Sequence, residues 1–347
     1  MAMGSERVAV IGAGSWGTAL TKPLSDLGRK VSLWGHNKKH IEKLIATREN
    51  KAYLPGYKIG DSITPVMDLK EAVEGHEAIV MVVPSHVFRE VFLQVVPYLA
   101  DGAYIVSATK GIENDSLMTM TQVIEDVLFR SEETAGISGR HNIQLGVLSG
   151  PSFAKEVAAG IPTAVTVAFK SRKAAQHFQQ IFFTETFRVY AGTDIIGLEL
   201  GGALKNIVAI AAGICDGLGY GTNTRAALIT RGLAEITRLG VKMGAAPLTF
   251  SGLGGLGDLV LTCTGDLSRN RTVGMKLGQG KKLKTILSEM NMVAEGVKTS
   301  KSAWSLAKKM DVEMPILEQI YQVLYEDKSC AAAVRDLLAR TQKEELW

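Results

Sequence analysis

The sequence predicts an α/β fold in which a doubly wound, mostly parallel sheet is followed by an all-helical domain. Short β-branched runs alternate with helical patterns from residue 6 to about 190, which is typical of a right-handed βαβ series. After about residue 192 the strand-like runs stop, and long segments rich in alanine, leucine and glycine follow. A chain of 347 residues has room for two domains. We therefore predict domains at 1–192 and 193–347, with a ligand in the cleft between them.

Apolar runs and helical periodicity place the individual elements. Strands are predicted at 8–11, 31–34, 78–83, 104–107, 144–148 and 164–168. The run 78–83 is apolar almost throughout, as expected of a parallel strand buried on both faces. Helices of the first domain are predicted at 87–99 and 118–129. Helices of the second domain are predicted at 195–213, 224–243, 272–277, 283–290, 300–309 and 316–325.

A glycine-rich turn directly follows the first predicted strand, and a helical pattern begins at Thr18. Gly12 would permit the tight turn, Gly14 would let a pyrophosphate approach the backbone, and Gly17 would let helix and strand pack closely. The free N–H groups of the new helix would face the phosphates. The strand before the turn and the helix after it predict a Rossmann-like dinucleotide-binding domain.

The end of the second strand bears on which dinucleotide is bound. In NAD-specific folds an acidic residue about 20 positions beyond the glycine loop contacts the ribose 2′-hydroxyl. Here the segment reads Gly35-His36-Asn37-Lys38-Lys39 and contains no acid. These cationic side chains favour NADP(H), or use of both NADP(H) and NAD(H). In the alternative interpretation, Lys38 and Lys39 only begin a solvent-facing helix.

Composition and charge narrow the class of protein. The formal net charge is +4 and the basic residues are dispersed, so we expect no nucleic-acid partner. Cys215, Cys263 and Cys330 are too widely spaced to predict a disulfide framework or a zinc site. We therefore expect a reducing compartment and no metal. The N-terminus has no signal-peptide pattern, and we expect no apolar stretch approaching the roughly 20 residues that span a bilayer.

Ligands of open parallel sheets bind beyond the carboxyl ends of the strands, so the loops there are candidate sites. Lys110, followed by glycine, comes directly after the strand 104–107 and is well placed to meet an anion. Ser152, after a Gly-Pro turn, would cap a helix that begins near Phe153. His86 follows the strand 78–83 in a loop that can close over the nicotinamide; it is either catalytic or simply the start of a helix.

One lysine lies in the predicted helix that begins at residue 195, which is apolar almost all round. Its strongly polar residues are Glu199, Lys205 and Asn206. A buried ammonium is costly unless it is paired or its pKa falls. A lysine with a lowered pKa can take a proton from a secondary alcohol as hydride leaves. Lys205 is therefore the candidate proton acceptor, and a structural ion pair with a carboxylate is the alternative.

Two further clusters follow in the helical half. The glycine-rich run 252–257 allows a close backbone approach to a ligand, and Asp258 begins a helix after it. Ser268, Arg269 and Asn270 supply a hydroxyl, a guanidinium and an amide at another helix start, a combination that suits a phosphomonoester. The alternative for this second cluster is an ordinary helix cap with a surface arginine.

The motifs taken together resemble one family. GAGSWGTAL, SGPSFAKEV, GGALKNIVAIAAGI, GLGDLVLTCTGDLSRNR and VAEGVKTS occur in the order found in prokaryotic-type NAD(P)-dependent glycerol-3-phosphate dehydrogenases, and they span nearly the whole chain. The resemblance implies reversible reduction of dihydroxyacetone phosphate to sn-glycerol 3-phosphate for phospholipid synthesis. It also implies a cytoplasmic homodimer.

The resemblance implies a role for each matching residue. Lys205 would be the catalytic proton acceptor. The substrate would be held by Lys110, Gly150, Ser152, Lys205, Asp258, Ser268, Arg269 and Asn270. Besides the three glycines of the turn, the cofactor would be contacted by Ser15, Trp16, His36, Lys110, Ala154, Arg269, Val293 and Glu295. One departure is Gly35, where many relatives carry arginine, so the strength of NADP preference stays open.

These roles imply direct hydride transfer, with Lys205 exchanging a proton with the C2 oxygen, Lys110 polarising that oxygen and Asp258 orienting Lys205. Two rival interpretations remain at the level of sequence. One is a β-hydroxyacid or 6-phosphogluconate type of dehydrogenase, which also combines a glycine-loop domain with a helical domain. The other is a non-catalytic NADPH sensor, which would need no proton acceptor.

Overall fold

The computed structural model describes residues 7–135, 142–290, 294–342 and 344–345. The first half forms an eight-stranded sheet. Its strands are β1 Arg7–Ile11, β2 Lys30–Trp34, β3 Ile63–Val66, β4 Ala78–Met81, β5 Tyr104–Ser107, β6 Gln144–Ser149, β7 Thr163–Phe169 and β8 Phe187–Gly192. They lie in the order β3-β2-β1-β4-β5-β6-β7-β8.

Helices cover the sheet and build the second half. Those among the strands are α1 Ser15–Asp26, α2 Lys38–Thr47, α3 Leu69–Val73, α4 Phe88–Val95, α5 Met120–Ala135, α6 Ala154–Ala158 and α7 Arg172–Phe182. After β8 come α8 Ile195–Gly217, α9 Thr222–Lys242, α10 Asp258–Thr264, α11 Arg269–Gly278, α12 Leu283–Ser288, α13 Glu295–Lys309, α14 Pro315–Tyr325 and α15 Cys330–Leu338. The predicted fold class is confirmed.

The sheet is buried on both faces because successive β1 side chains point to opposite sides. Val8 and Val10 join the apolar cluster under α1, α2 and α7, whereas Ala9 and Ile11 join the cluster under α4 and α5. Ile11 is in register with Trp34 of β2 and Met81 of β4. Chain connections diverge on the two sides of β1, so the crevice beyond its carboxyl end is the expected dinucleotide position.

Several element predictions need correction. The strands β3 and β8 were not predicted: β3 has only four residues and includes Pro65, and β8 is a sheet edge with exposed Arg188. The pair β6 and β7 is antiparallel, since a short loop and α6 return the chain without a full crossover. The helix predicted at 87–99 is α4 flanked by two short 3₁₀ turns, the second of which contains Pro97. The helix α15 was not predicted.

The helix α8 is the core of the second half. Nearly all its residues are buried, and α9, α10, α11, α13 and α14 pack around it. Within the described ranges, α8 is the one helix long and apolar enough to cross a membrane by length and composition, so the expectation of no such stretch is wrong. Since 94% of its apolar window is buried inside the protein, α8 is the apolar core helix of the second half.

Candidate active site

The glycine turn has the shape that a dinucleotide requires. Gly12 has φ +132°, and a Cβ on it would lie 2.7 Å from the Val82 carbonyl oxygen. A Cβ on Gly17 would lie 1.9 Å from the Gly12 carbonyl oxygen, so only glycine lets α1 approach the turn. A Cβ on Gly14 would meet nothing within 4 Å. Gly14 caps α1 without a side-chain hydrogen bond, so the helix N–H groups face open space that fits a pyrophosphate.

The neighbouring segment holds this turn in place. Ser15 Oγ donates to the Tyr53 carbonyl oxygen, and Asn50 Nδ2 donates to the Ala13 carbonyl oxygen at 3.0 Å and to Thr18 Oγ1 at 2.7 Å. Trp16 is half-buried, and its Nε1 is buried without a hydrogen-bond partner. Asn50 was not singled out from the sequence, because it lies far along the chain and in no recognisable motif.

The cationic residues after β2 lie on the surface. His36, Lys38 and Lys39 are all exposed, and α2 begins at Lys38. Lys38 Nζ lies 4.0 Å from Glu42 Oε1 one turn along. The solvent-facing helix of the alternative interpretation is therefore present, and the cationic side chains at and before its start are exposed. A Cβ on Gly35 would lie 2.6 Å from Ile41 Cδ1, so an arginine at this position would require the Ile41 side chain to move.

The structure brings two predicted site lysines, Lys110 and Lys205, together on the carboxylate of Asp258. Lys205 Nζ donates to Asp258 Oδ1 and, at 2.8 Å, to Thr262 Oγ1. Lys110 Nζ donates to Asp258 Oδ2 at 2.7 Å and to the Gly150 carbonyl oxygen at 3.2 Å. Asp258 is fully buried, and Lys205 is 6% exposed. The expected pairing of Asp258 with Lys205 is therefore present in the structure.

This arrangement shifts the pKa of the Lys205 amine. Burial lowers the pKa of Lys205 from 10.5 to about 7, the Asp258 carboxylate opposes that shift, and the charge of Lys110 adds to it. The amine therefore changes protonation near neutral pH, as a general acid and base must. Thr262 was missed from the sequence, although it follows Asp258 by four residues and so shares its helix face.

Two glycines of the run before Asp258 are needed for internal packing, and the approach of a ligand to this run remains a prediction. A Cβ on Gly254 would lie 2.2 Å from Leu198 Cδ2, and one on Gly255 would lie 2.2 Å from the Phe250 carbonyl oxygen. From the facing helix, a Cβ on Gly201 would lie 2.4 Å from the Gly254 carbonyl oxygen. The run therefore packs against α8, and Asp258, which follows it, lies next to Lys205.

The loop after β6 lies beside Lys110. Gly150 has φ +144°, and a Cβ on it would lie 2.9 Å from Val165 Cα. Ser152 does not cap a helix: Phe153 is the N-cap of α6, and Ser152 Oγ donates back to the Gly150 carbonyl oxygen at 2.9 Å. The expected cap is therefore wrong, because the helix begins one residue later, at Ala154.

The candidate phosphate cluster starts α11. Ser268 is the N-cap, and its Oγ accepts the Arg271 N–H at 3.2 Å. Arg269 is exposed. The Asn270 amide is buried: its Nδ2 donates to Asn206 Oδ1 at 2.9 Å, and its Oδ1 accepts the Gly296 N–H at 3.0 Å. Burial lowers the pKa of the Arg269 guanidinium, and the nearby Glu295 carboxylate opposes this shift. The Asn270 side chain ties α11 to α8 and α13.

The start of α13 contacts the turn that follows β4. Glu295 Oε2 accepts the Ser85 hydroxyl at 2.8 Å, and burial raises the pKa of the Glu295 carboxyl. A Cβ on Gly111 would lie 2.5 Å from Ser85 Cβ, so the Lys110 loop passes directly over this contact. His86 is exposed in the 3₁₀ turn before α4, at the start of a helix. Val293 lies outside the described residues.

Comparison with known proteins places the chain in a family. The model for the N-terminus of NAD-dependent glycerol-3-phosphate dehydrogenase matches residues 7–175, and the model for the C-terminus matches residues 194–335. The chain belongs to the NAD-dependent glycerol-3-phosphate dehydrogenase family. It is thus an oxidoreductase, and the open glycine turn fits the dinucleotide that the family name implies.

Relatives within this glycerol-3-phosphate dehydrogenase family match over almost the full length. The chain is 58% identical over 338 residues to glycerol-3-phosphate dehydrogenase (NAD(P)+) of Desulfotalea psychrophila, covering 97% of this chain and 98% of the relative. It is 55% identical to that of Geobacter sulfurreducens, covering 99% of this chain and all of the relative. A crystal structure of glycerol-3-phosphate dehydrogenase from Coxiella burnetii is 40% identical and superimposes with a TM-score of 0.90, covering 96% of this chain and 99% of the other.

Proposed function

We propose that this chain reduces dihydroxyacetone phosphate reversibly to sn-glycerol 3-phosphate, with Lys205 as the proton donor and acceptor. The observation that carries the role of Lys205 is its burial against Asp258 and Lys110, which sets its pKa to about 7. The reaction itself is supported by the family and by relatives named NAD(P)+ glycerol-3-phosphate dehydrogenase.

The residues would divide the work as follows. Gly12, Gly14 and the start of α1 would hold the pyrophosphate of NAD(P)H, which supplies the hydride when bound. Lys205 gives its proton to the C2 oxygen during reduction and takes it back during oxidation. Lys110, also on Asp258, stabilises negative charge on that oxygen.

The phosphate of the substrate is assigned to the start of α11. Arg269 and the first N–H groups of this helix would offer charge-assisted hydrogen bonds to a phosphate. Binding energy from this non-reacting group holds the reacting carbon near Lys205.

Three wider features complete the proposal. The enzyme supplies glycerol 3-phosphate to phospholipid synthesis in the cytoplasm, acts as a homodimer, and favours NADP(H) through His36, Lys38 and Lys39. Support for the cofactor preference is that the segment after β2 exposes cationic side chains and no carboxylate before Glu42. The location and the dimer are supported by the resemblance to the family alone.

The deciding experiment mixes the purified protein with dihydroxyacetone phosphate and follows the loss of absorbance of NADPH and NADH separately. Rapid oxidation of either cofactor is the expected result, and the ratio of the two rates measures the cofactor preference. Hydroxy acids and unphosphorylated dihydroxyacetone serve as comparison substrates. If both cofactors bind and neither is oxidised, the proposed reaction is wrong and a sensing function is favoured.

A further inference from the structure

Two buried glutamates that take no part in the proposed mechanism accept N–H groups at the start of another helix. Glu199 of α8 accepts the Thr121 backbone N–H at 2.8 Å and the Thr121 hydroxyl at 2.6 Å, in the first turn of α5. Glu235 of α9 accepts the N–H groups of Ile316 and Leu317 at 2.8 and 3.3 Å, in the first turn of α14. Both carboxylates are at most 5% exposed.

The two contacts join different parts of the molecule. Glu235 joins two helices of the second half. Glu199 joins α8 to α5, the crossover helix between β5 and β6, whose Met120, Val123 and Ile124 pack in the core beneath the sheet. The Glu199 contact therefore connects the sheet to the central helix that carries Lys205.

The start of α5 is also the end of the segment that presents Lys110. This segment leaves β5, and Thr109 Oγ1 donates to the Val83 carbonyl oxygen at 2.7 Å. Ile112 packs in the core of the second half, and its carbonyl oxygen accepts the Ser302 hydroxyl at 3.0 Å. Ile112 also pairs with Thr119 in an antiparallel bridge just before α5. Lys110 is thus held on one side at β5 and on the other at Ile112, which is itself joined through its bridge to Thr119 to the start of α5 that Glu199 contacts.

We propose that Glu199 is a positioning residue: by holding the start of α5 against α8, it keeps Lys110 on the Asp258 carboxylate that Lys205 also contacts. This inference rests on the proposed roles of Lys205 and Lys110. Its geometric basis is that Lys110 Nζ lies 2.7 Å from one oxygen of Asp258 while Lys205 contacts the other. Both ends of the Lys110 segment must stay in place for one carboxylate to bridge two ammonium groups.

Loss of the tether has a definite electrostatic consequence. The titratable groups that face Lys205 are Asp258 of α10, Lys110 and the Cys263 thiol, which burial keeps neutral with a pKa of about 12. When Lys110 withdraws, Asp258 interacts with Lys205 alone, which stabilises the ammonium form. The pH at which Lys205 becomes a base then rises.

The test compares Glu199→Ala with Glu235→Ala, a matched loss of a buried glutamate at a helix start. We expect Glu199→Ala to lower kcat for glycerol 3-phosphate oxidation at least tenfold and to move the acidic limb of its pH profile upward by about one unit. We expect Glu235→Ala to lower the thermal midpoint and leave that limb unchanged. An unchanged limb in Glu199→Ala, or an equal shift in Glu235→Ala, overturns the proposal.

Glu199→Gln separates position from charge. The amide oxygen can accept the Thr121 N–H, and the hydroxyl of Thr121 can turn to accept from the amide NH₂, so the tether survives. We expect kcat within about threefold of the unmodified enzyme. A Glu199→Gln variant as impaired as Glu199→Ala shows that charge, rather than position, matters, and it overturns the proposal.

Thr121→Val covers the case in which Glu199→Ala does not fold. It removes one of the two hydrogen bonds to Glu199 and keeps the backbone N–H. We expect a smaller shift of the acidic limb in the same direction, and no shift contradicts the tether. Failure of the proposed function is distinguishable, because the unmodified enzyme would then lack activity with dihydroxyacetone phosphate and glycerol 3-phosphate altogether.

Discussion

At the scale of single residues, the site depends on one amine that is costly to bury. Lys205 is 6% exposed, and its hydrogen-bond partners are a carboxylate and a hydroxyl. Desolvation lowers its pKa to about 7, so the amine can gain or lose its proton at physiological pH. A purely structural ion pair would hold the lysine charged, so the lowered pKa favours the catalytic role over that alternative.

Replacing Lys205 by alanine should remove the proton donor and acceptor and leave the cofactor turn intact. We expect kcat to fall by about 10²- to 10⁴-fold or more, since general acid–base groups contribute in that range. The dissociation constant of NADPH, measured by fluorescence titration, should change little. Turnover close to that of the unmodified enzyme would refute the assignment of Lys205.

The pKa of Lys205 also predicts opposite pH dependence in the two directions. Oxidation of glycerol 3-phosphate needs the neutral amine, so its kcat should rise with pH through about 7. Reduction of dihydroxyacetone phosphate needs the ammonium, so its kcat should fall above the same pH. Initial rates between pH 5.5 and 9 in a constant-ionic-strength buffer, roughly two units around the pKa, measure both limbs. Parallel profiles in the two directions would contradict this prediction.

Arg269→Ala should weaken recognition of the phosphate and leave proton transfer unchanged. A charge-assisted hydrogen bond is worth about 1.5–3 kcal/mol, so kcat/KM for dihydroxyacetone phosphate should fall by about 10- to 100-fold. The rate with unphosphorylated dihydroxyacetone should stay the same, which makes it the internal control. Equal losses with both substrates would assign Arg269 to the cofactor instead.

At the scale of elements, different glycines of the turn between β1 and α1 are required for packing and for ligand binding. Gly17 is required because the helix packs on the backbone of the turn, whereas Gly14 faces open space. The same sequence motif therefore contains one glycine for packing and one for the ligand. The distinction is visible only when the surroundings of each Cα are known.

Gly14→Ala and Gly17→Ala should accordingly differ. A Cβ on Gly14 meets nothing within 4 Å, so this variant should unfold at the normal temperature but bind NADPH at least tenfold more weakly. A Cβ on Gly17 lies 1.9 Å from the Gly12 carbonyl oxygen, so this variant should lose several kcal/mol of stability, on the order of an overpacked core. Calorimetry and fluorescence titration measure the two effects. Equal loss of stability in both variants would contradict the distinction.

At the scale of the whole molecule, the lysine pair is assembled from both halves of the chain. Lys110 comes from the segment after β5, while Lys205 and Asp258 come from α8 and α10. The contact of Ser85 with Glu295 and that of Thr121 with Glu199 also cross between the sheet and the helical half. The chemistry of the site therefore depends on how the two halves are placed.

Lys110→Met tests this dependence. The charge of Lys110 lowers the pKa of Lys205, so its removal should raise that pKa and move the acidic limb of glycerol 3-phosphate oxidation to higher pH. Activity should also fall, because Lys110 is assigned to the substrate. Lys170→Met, which removes an exposed lysine paired with Glu125, is the control and should change neither property. A downward shift of the limb in Lys110→Met would contradict the electrostatic coupling.

The sequence by itself determined the features that depend on neighbours along the chain. The strand, the three glycines and the helix after them are local, and so is the almost uniformly apolar sequence of α8 around Lys205. The change from strands to helices is local too: β8 ends at Gly192 and α8 begins at Ile195. The roles assigned to individual site residues remain predictions.

Only the tertiary structure decided the contacts between distant segments. The strands β3 and β8 were not predicted: β3 is only four residues long and includes Pro65, and the pairing of β8 with β7 joins separate segments of the chain. Gly254, in the glycine-rich run before Asp258, packs against Leu198 of α8, and no local pattern indicates this contact. Hydrogen bonds such as that between Glu199 and Thr121 join residues far apart in the chain. Local preference cannot encode such contacts, since their free energy appears only when the packed helices and sheet exclude water.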